Sequence, residues 1–119
     1  MPLNSDAGAG LFAATSGACT VVDSGTCFRS PNYPSNYGNY EDCSITVTAH
    51  EQVTLSVVAF STYSSYDPLT VAGVQYSGTS SSGPDGVQVA AGATITFTSN
   101  NAQTLSSGFE VCGASSSRH

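Results

Sequence analysis

Lysine is missing from this sequence, and so is tryptophan; arginine occurs only as Arg29 and Arg118. Against those two cations stand eight carboxylates, for a formal net charge of −6. A chain so poor in positive charge has no basic face for nucleic acid or anionic lipid, and neither is expected as a partner. The shortage of charged residues, 8% of the chain, also argues against a helical bundle, which is built largely from Glu, Lys, Arg, Leu and Ala. No stretch reaches the ~18 consecutive apolar residues of a membrane span, so membrane insertion is not expected. No basic segment followed by an apolar run opens the chain, and an export leader is expected to have been removed. Asn-x-Ser/Thr sequons are absent, which excludes N-glycosylation.

Catalytic signatures are missing as well. There is no Gly-x-Ser-x-Gly elbow and no glycine-rich phosphate loop ahead of a helix. Histidine occurs only as His50 and His119. His50 sits beside Glu51 in a turn and reads as a surface residue, while His119 lies at the terminus; neither completes a Ser-His-Asp arrangement. The protein is not expected to be an enzyme.

What is present points to strands. The 119 residues suffice for one modest core, since a chain this long hides roughly 65% of its unfolded surface. Serine and threonine supply 33 residues and glycine 12, a composition that suits an all-β domain with many turns. Apolar residues alternate with polar ones along the chain. Ile45 and Val47 alternate with Ser44, Thr46 and Thr48; Val53, Leu55, Val57 and Ala59 alternate with Thr54, Ser56 and Val58. Leu69 and Val71 flank Thr70, Ile95 and Phe97 lie among Thr94, Thr96 and Thr98, and Phe109 and Val111 flank Glu110. This period of two describes half-buried strands with one packed face and one wet face. Turn clusters separate them, including Asp23-Ser24-Gly25, Pro31 to Gly38, and a long polar stretch from Ser77 to Gly86 expected to be mobile. The expected fold is an antiparallel two-sheet β-sandwich over residues 18–113. A leading extension or strand (1–17) precedes it and a polar tail (114–119) follows.

Four cysteines, Cys19, Cys27, Cys43 and Cys112, lack the Cys-x-x-Cys spacing of a zinc or redox motif. In a small Lys-free chain an even number reads as two disulfides and an oxidising, extracellular compartment. Four cysteines allow three pairings, and spacing does not choose among them. Pro31 and Pro34 each fix φ and remove an amide donor, so their segment leaves the sheet. Tyr33 and Tyr37 beside them are expected to fold back over a sandwich end, their hydroxyls reaching backbone or water.

Ser30-Pro31-Asn32-Tyr33-Pro34, then Tyr37 and Cys43, resembles the signature of CUB domains. The resemblance continues through Phe60, Tyr66-Asp67 and Leu69-Thr70-Val71, and through Phe97-Thr98-Ser99-Asn100 followed by Gly108-Phe109. It implies an extracellular, jelly-roll-type sandwich and a Cys19–Cys43 bridge, which leaves Cys27 to pair with Cys112. Many CUB domains bind Ca²⁺ with a Glu, an Asp and a second Asp; here the matching positions hold Tyr63, Asp67 and Asn100. One anionic ligand of three remains, so the resemblance implies a degenerate calcium site of Asp67 and Asn100. Calcium affinity falls with ligand charge, and no bound cofactor is favoured. Asp67 is instead expected to accept hydrogen bonds from neighbouring amides and hydroxyls.

The resemblance further implies a secreted, non-catalytic interaction or adhesion module. By residue match, a protein partner would contact Tyr33, Tyr37, Tyr63, Tyr66, Asp67 and Asn100. Tyrosines around a carboxylate suit a Lys or Arg from that partner, through ion pairing and cation–π contact. Two alternatives stand beside it. One is carbohydrate binding, by tyrosine faces with the amides of Asn32, Asn36, Asn39, Asn100 and Asn101 and the Asp42 carboxylate. The other is self-association through the leading extension, by strand addition to a neighbour's sheet edge.

Overall fold

A computed structural model of the chain describes residues 10–64, 66–79, 83–100 and 106–115. Residues 1–9 of the leading extension and 116–119 of the tail lie outside the described residues, and with them the strand addition expected of that extension. Among the described residues ten strands form: β1 (Phe12–Gly17), β2 (Thr20–Val22), β3 (Cys27–Arg29), β4 (Asp42–Val47), β5 (Val53–Ser61), β6 (Leu69–Val71), β7 (Val74–Tyr76), β8 (Gln88–Val89), β9 (Thr94–Thr98) and β10 (Gly108–Ser115). A 3-10 turn, Asp23–Gly25, joins β2 to β3. The strands make two five-stranded antiparallel sheets, ordered β1-β4-β9-β6-β7 and β2-β3-β10-β5-β8. The fold is the all-β sandwich that the alternation implied.

The threonines explain the first sheet. Ser44 stands opposite Thr96, Thr46 opposite Thr94, and Thr70 opposite Thr96. These residues, all but Ser44 β-branched, occupy the wet face, where they pair across strands. Ile45, Val47, Ile95, Phe97, Leu69 and Val71 face inward and are buried. In the second sheet Val53, Leu55, Phe60, Phe109 and Val111 close the core from the other side.

Both expected boundaries shift. Leu11 and Phe12 are core residues, and Phe12–Gly17 pairs with β4, so the leading strand is part of the sandwich. At the other end Ala114 and Ser115 pair with Thr54 and Val53, so β10 runs two residues past the boundary expected at 113. Alternation also fails in β5. Glu110 pairs with Ala59 and Val111 with Val57, which leaves Val58 as an extra residue in a bulge. The bulge reverses which residues face inward, so Phe60 is buried in the place expected for Ala59, and Val58 is exposed.

The Ser77–Gly86 loop is docked at both of its described ends. Thr62 donates its amide to the Gly78 carbonyl, and the Val57 amide donates to the Asp85 carboxylate. These bonds cap the part of β5 that the two-residue strand β8 leaves unpaired, a protected edge. Cysteine pairing is Cys19–Cys43 and Cys27–Cys112. The first bridge lies within the core cluster. The second joins residues already opposite each other in the β3–β10 ladder and stands outside that cluster.

Candidate functional site

An aromatic chain runs through the core and ends at one set of loops. Phe12 meets Phe28 edge-on at 5.0 Å, Phe28 meets Phe109 at 6.0 Å, Phe109 meets Phe97 at 5.1 Å, and Phe97 meets Tyr37 at 5.1 Å. Edge-to-face contacts of this kind add to the burial of each ring. Their effect here is to fix Tyr37, which is buried at 3% exposure. Its ring belongs to the core, and only its hydroxyl reaches the loops.

That hydroxyl donates to Asp67 Oδ2 at 2.7 Å and accepts the Tyr63 amide at 3.0 Å. The other carboxylate oxygen of Asp67, Oδ1, accepts the Asn100 amide at 3.0 Å. Asp67 is 1% exposed. A carboxylate so deeply buried requires donors on its oxygens, and each oxygen has one. The Asn100 carbonyl in turn accepts the Tyr40 amide. Three segments thus converge: residues 37–41 after the proline turn, 63–67 after β5, and 98–100 at the end of β9.

A second circuit ties the first segment to the third. Ser99 Oγ accepts the Glu41 amide at 2.8 Å and donates to the Gly38 carbonyl at 2.7 Å. The Ser99 amide donates to the Glu41 carbonyl, and Glu41 Oε2 accepts the Gly38 amide at 2.8 Å. Sequence reasoning did not single out Ser99 for this role, although it lies within the quoted Phe97-Thr98-Ser99-Asn100 motif.

Above the buried network stands an exposed pair of rings. The Tyr63 carbonyl accepts the amides of both Tyr66 and Asp67, which draws those two residues back onto Tyr63 in a turn. Tyr63 and Tyr66 are three apart in that turn and stack at 5.0 Å with 18° between their planes. They are 42% and 56% exposed, and Tyr40, on the neighbouring segment, is 73% exposed. Tyr40 is a second residue that sequence reasoning passed over; nothing marks it among the asparagines and tyrosines of its turn.

The six residues expected to meet a partner therefore divide. Tyr63 and Tyr66 are presented outward. Tyr37 and Asp67 are buried and serve beneath the surface, because each has its polar atoms engaged by the other and by loop amides. Asn100 joins the network through its backbone. Tyr33 is half-buried, with the Arg29 guanidinium over its ring at 5.6 Å. That guanidinium also bridges Glu110 at 3.3 Å, the one salt bridge among the described residues.

The same arrangement tests the calcium site, and the donor set does not fit. A calcium ion takes 6–8 oxygen ligands, several of them anionic. Here Asp67 is the one carboxylate at the three matching positions, and its oxygens already face the Tyr37 O–H and the Asn100 N–H. Glu41 is turned to the Gly38 amide. Among the described residues one trio of His, Cys or carboxylate ligand atoms lies within 4.8 Å, namely Cys27, Glu110 and Cys112, and its sulfurs are joined in a disulfide.

No curated protein sequence matches the chain. A family model described as CUB domain matches residues 17–112. The match begins at the last residue of β1, so Leu11 and Phe12 extend the core from ahead of the matched region. CUB domains are typically extracellular and non-catalytic, and they mediate protein–protein contact. The disulfides agree with that setting, and no helix among the described residues is long and apolar enough to cross a membrane. The two-sheet sandwich, the buried Tyr37–Asp67 contact between motif residues and the matched span lead to one conclusion: the chain belongs to the CUB domain family.

Proposed function

We propose that this domain is a secreted interaction module that docks a protein partner on the exposed Tyr63–Tyr66 stack, with the exposed Tyr40 on the segment bonded to Asn100, and takes a Lys or Arg side chain there. The observation that carries this reading is the stack itself. Two large rings at 42% and 56% exposure are held parallel by a turn whose base is hydrogen-bonded to the core. Tyrosine offers wide amphipathic contact at small entropic cost, and a surface already ordered loses less freedom on binding.

Charge supports a cationic contact. The chain has no lysine, and Arg29 is committed to Glu110 and Tyr33. Glu41 and Asp42, next to Tyr40, are therefore not neutralised by Arg29, and a partner's cation meets both an aromatic face and negative potential. Tyr37 and Asp67 contribute from below by holding the turn.

The experiment is a titration of the labelled domain with short peptides bearing Arg, Lys or neutral residues, followed by NMR. Arg and Lys peptides shift the Tyr40, Tyr63 and Tyr66 resonances, salt weakens the effect, and Tyr66→Ala lowers affinity about tenfold, as for loss of an aromatic contact residue. Equal response to neutral peptides, or undiminished affinity of Tyr66→Ala, refutes the placement.

A further inference from the structure

We infer that the loop end of this domain is closed by a metal-free lock, and that Tyr37 is the positioning residue through which the core presents the Tyr63–Tyr66 pair. The inference deepens the docking reading above and rests on it for its purpose, though not for its test.

The lock consists of side-chain and backbone groups of the chain itself. The Tyr63 amide donates to the Tyr37 hydroxyl, and that hydroxyl donates to Asp67 Oδ2, so two bonds run head to tail through one oxygen. Bonds in series polarise one another and strengthen where the local dielectric is low. Asp67 Oδ1 takes the Asn100 amide, which brings in the third segment. The Ser99 circuit then closes residues 38–41 onto the end of β9. Every bond in this set is between the chain's own donors and acceptors.

A cation approaching Asp67 would meet two hydrogens already directed at the carboxylate oxygens. It would find one negative charge, with a tyrosine and an asparagine at the other two positions. The same two hydrogens make the lock self-sufficient, because they neutralise by dipoles what an ion would neutralise by charge. Tyr37 is suited to the task because its ring cannot move: Phe97 holds it edge-on at 5.1 Å within a close-packed core. A rigid ring fixes its hydroxyl, the hydroxyl fixes the Tyr63 amide, and the amide opens the turn that carries both exposed rings.

Hydrogen exchange of the whole chain, read amide by amide by NMR, tests this without any partner. In chelator and in millimolar Ca²⁺ the Tyr63 and Asn100 amides exchange at equal rates. A slowing of tenfold or more by Ca²⁺, taken as about the effect of one added strong contact, overturns the proposal. In Tyr37→Phe the Tyr63 amide exchanges at least tenfold faster, as for loss of one hydrogen bond, and exchanges ahead of the Ile45 and Ile95 amides of the β4–β9 ladder, whose rates follow the stability of the whole domain. Unchanged exchange at Tyr63 overturns it equally. If Tyr37→Phe does not fold, Asp67→Asn is read instead; faster exchange at Asn100 and Tyr63 supports the lock, and native rates there refute it. Because no partner enters the readout, weak peptide binding with an intact exchange pattern counts against the docking reading alone. Native-like exchange at Tyr63 in Tyr37→Phe counts against the lock alone.

Discussion

Coupling between Tyr37 and Asp67 can be measured as a free energy. Tyr37→Phe keeps the ring against Phe97 and removes only the hydroxyl. It deletes the 2.7 Å bond to Asp67 and leaves the Tyr63 amide without its acceptor. A hydrogen bond to a charged group contributes about 2 kcal/mol and a neutral one about 1 kcal/mol, so the variant loses about 3 kcal/mol. Asp67→Ala loses the same bond, strands the Asn100 amide and opens a small void, for about 4 kcal/mol. The shared bond is counted in both single variants but only once in the double. Tyr37→Phe/Asp67→Ala should therefore cost about 5 kcal/mol, roughly 2 kcal/mol less than the two single losses together. Urea unfolding followed by tyrosine fluorescence measures all four proteins, with the slope against urea unchanged across the set. Thermal midpoints should fall by about 4 °C for each kcal/mol in a chain of this size. Additivity within about 0.5 kcal/mol, the ordinary result for independent sites, would refute the coupling and with it the claim that the hydroxyl and carboxylate act as one unit.

Two further outcomes follow from backbone packing and the disulfides. Gly17 has φ +82° and lies opposite Cys43, where a methyl group would overlap the Asp42 carbonyl oxygen and the Cys43 Cα. Gly17→Ala should cost about 3–5 kcal/mol, as for strain that nothing nearby can relieve. Gly73→Ala, at φ +80° with open space around it, should cost only the left-handed backbone penalty of about 1–2 kcal/mol; equal melting temperatures for the two variants contradict the steric account. Under native conditions a mild thiol reductant should open Cys27–Cys112 before Cys19–Cys43, because the former stands outside the core cluster and Cys112 is partly exposed. Alkylation and peptide mapping report the order, and earlier release of Cys19 and Cys43 contradicts it.

Much of the fold was legible because strand burial has a period of two. Ile45 and Val47, Ile95 and Phe97, and Leu69 and Val71 fall on the inner face as their alternation with threonine and serine required. The pattern failed at β5 because a bulge adds a residue that no local preference announces, and Phe60 took the inward position expected for Ala59. The loop end was legible in membership and not in role. Tyr37, Tyr63, Tyr66, Asp67 and Asn100 do come together, since they belong to motif segments that follow one another in a fixed order. Which of them faces outward could not be read from the chain. A tyrosine is equally suited to core and surface, and the choice for Tyr37 depends on Phe97, sixty positions away.

The sequence by itself determined the sandwich. Its hydroxyl-bearing alternation leaves strands as the way to bury the apolar residues. Tertiary structure alone decided the fate of Asp67. Whether a lone carboxylate becomes a ligand, a contact or a buried tie depends on which donors reach it, and those donors, the Tyr37 hydroxyl and the Asn100 amide, come from segments 30 and 33 residues away. Their distance to Asp67 is set by the packing of Tyr37 on Phe97 and by the pairing of β9 with β4 and β6, contacts that exist only once both sheets have closed.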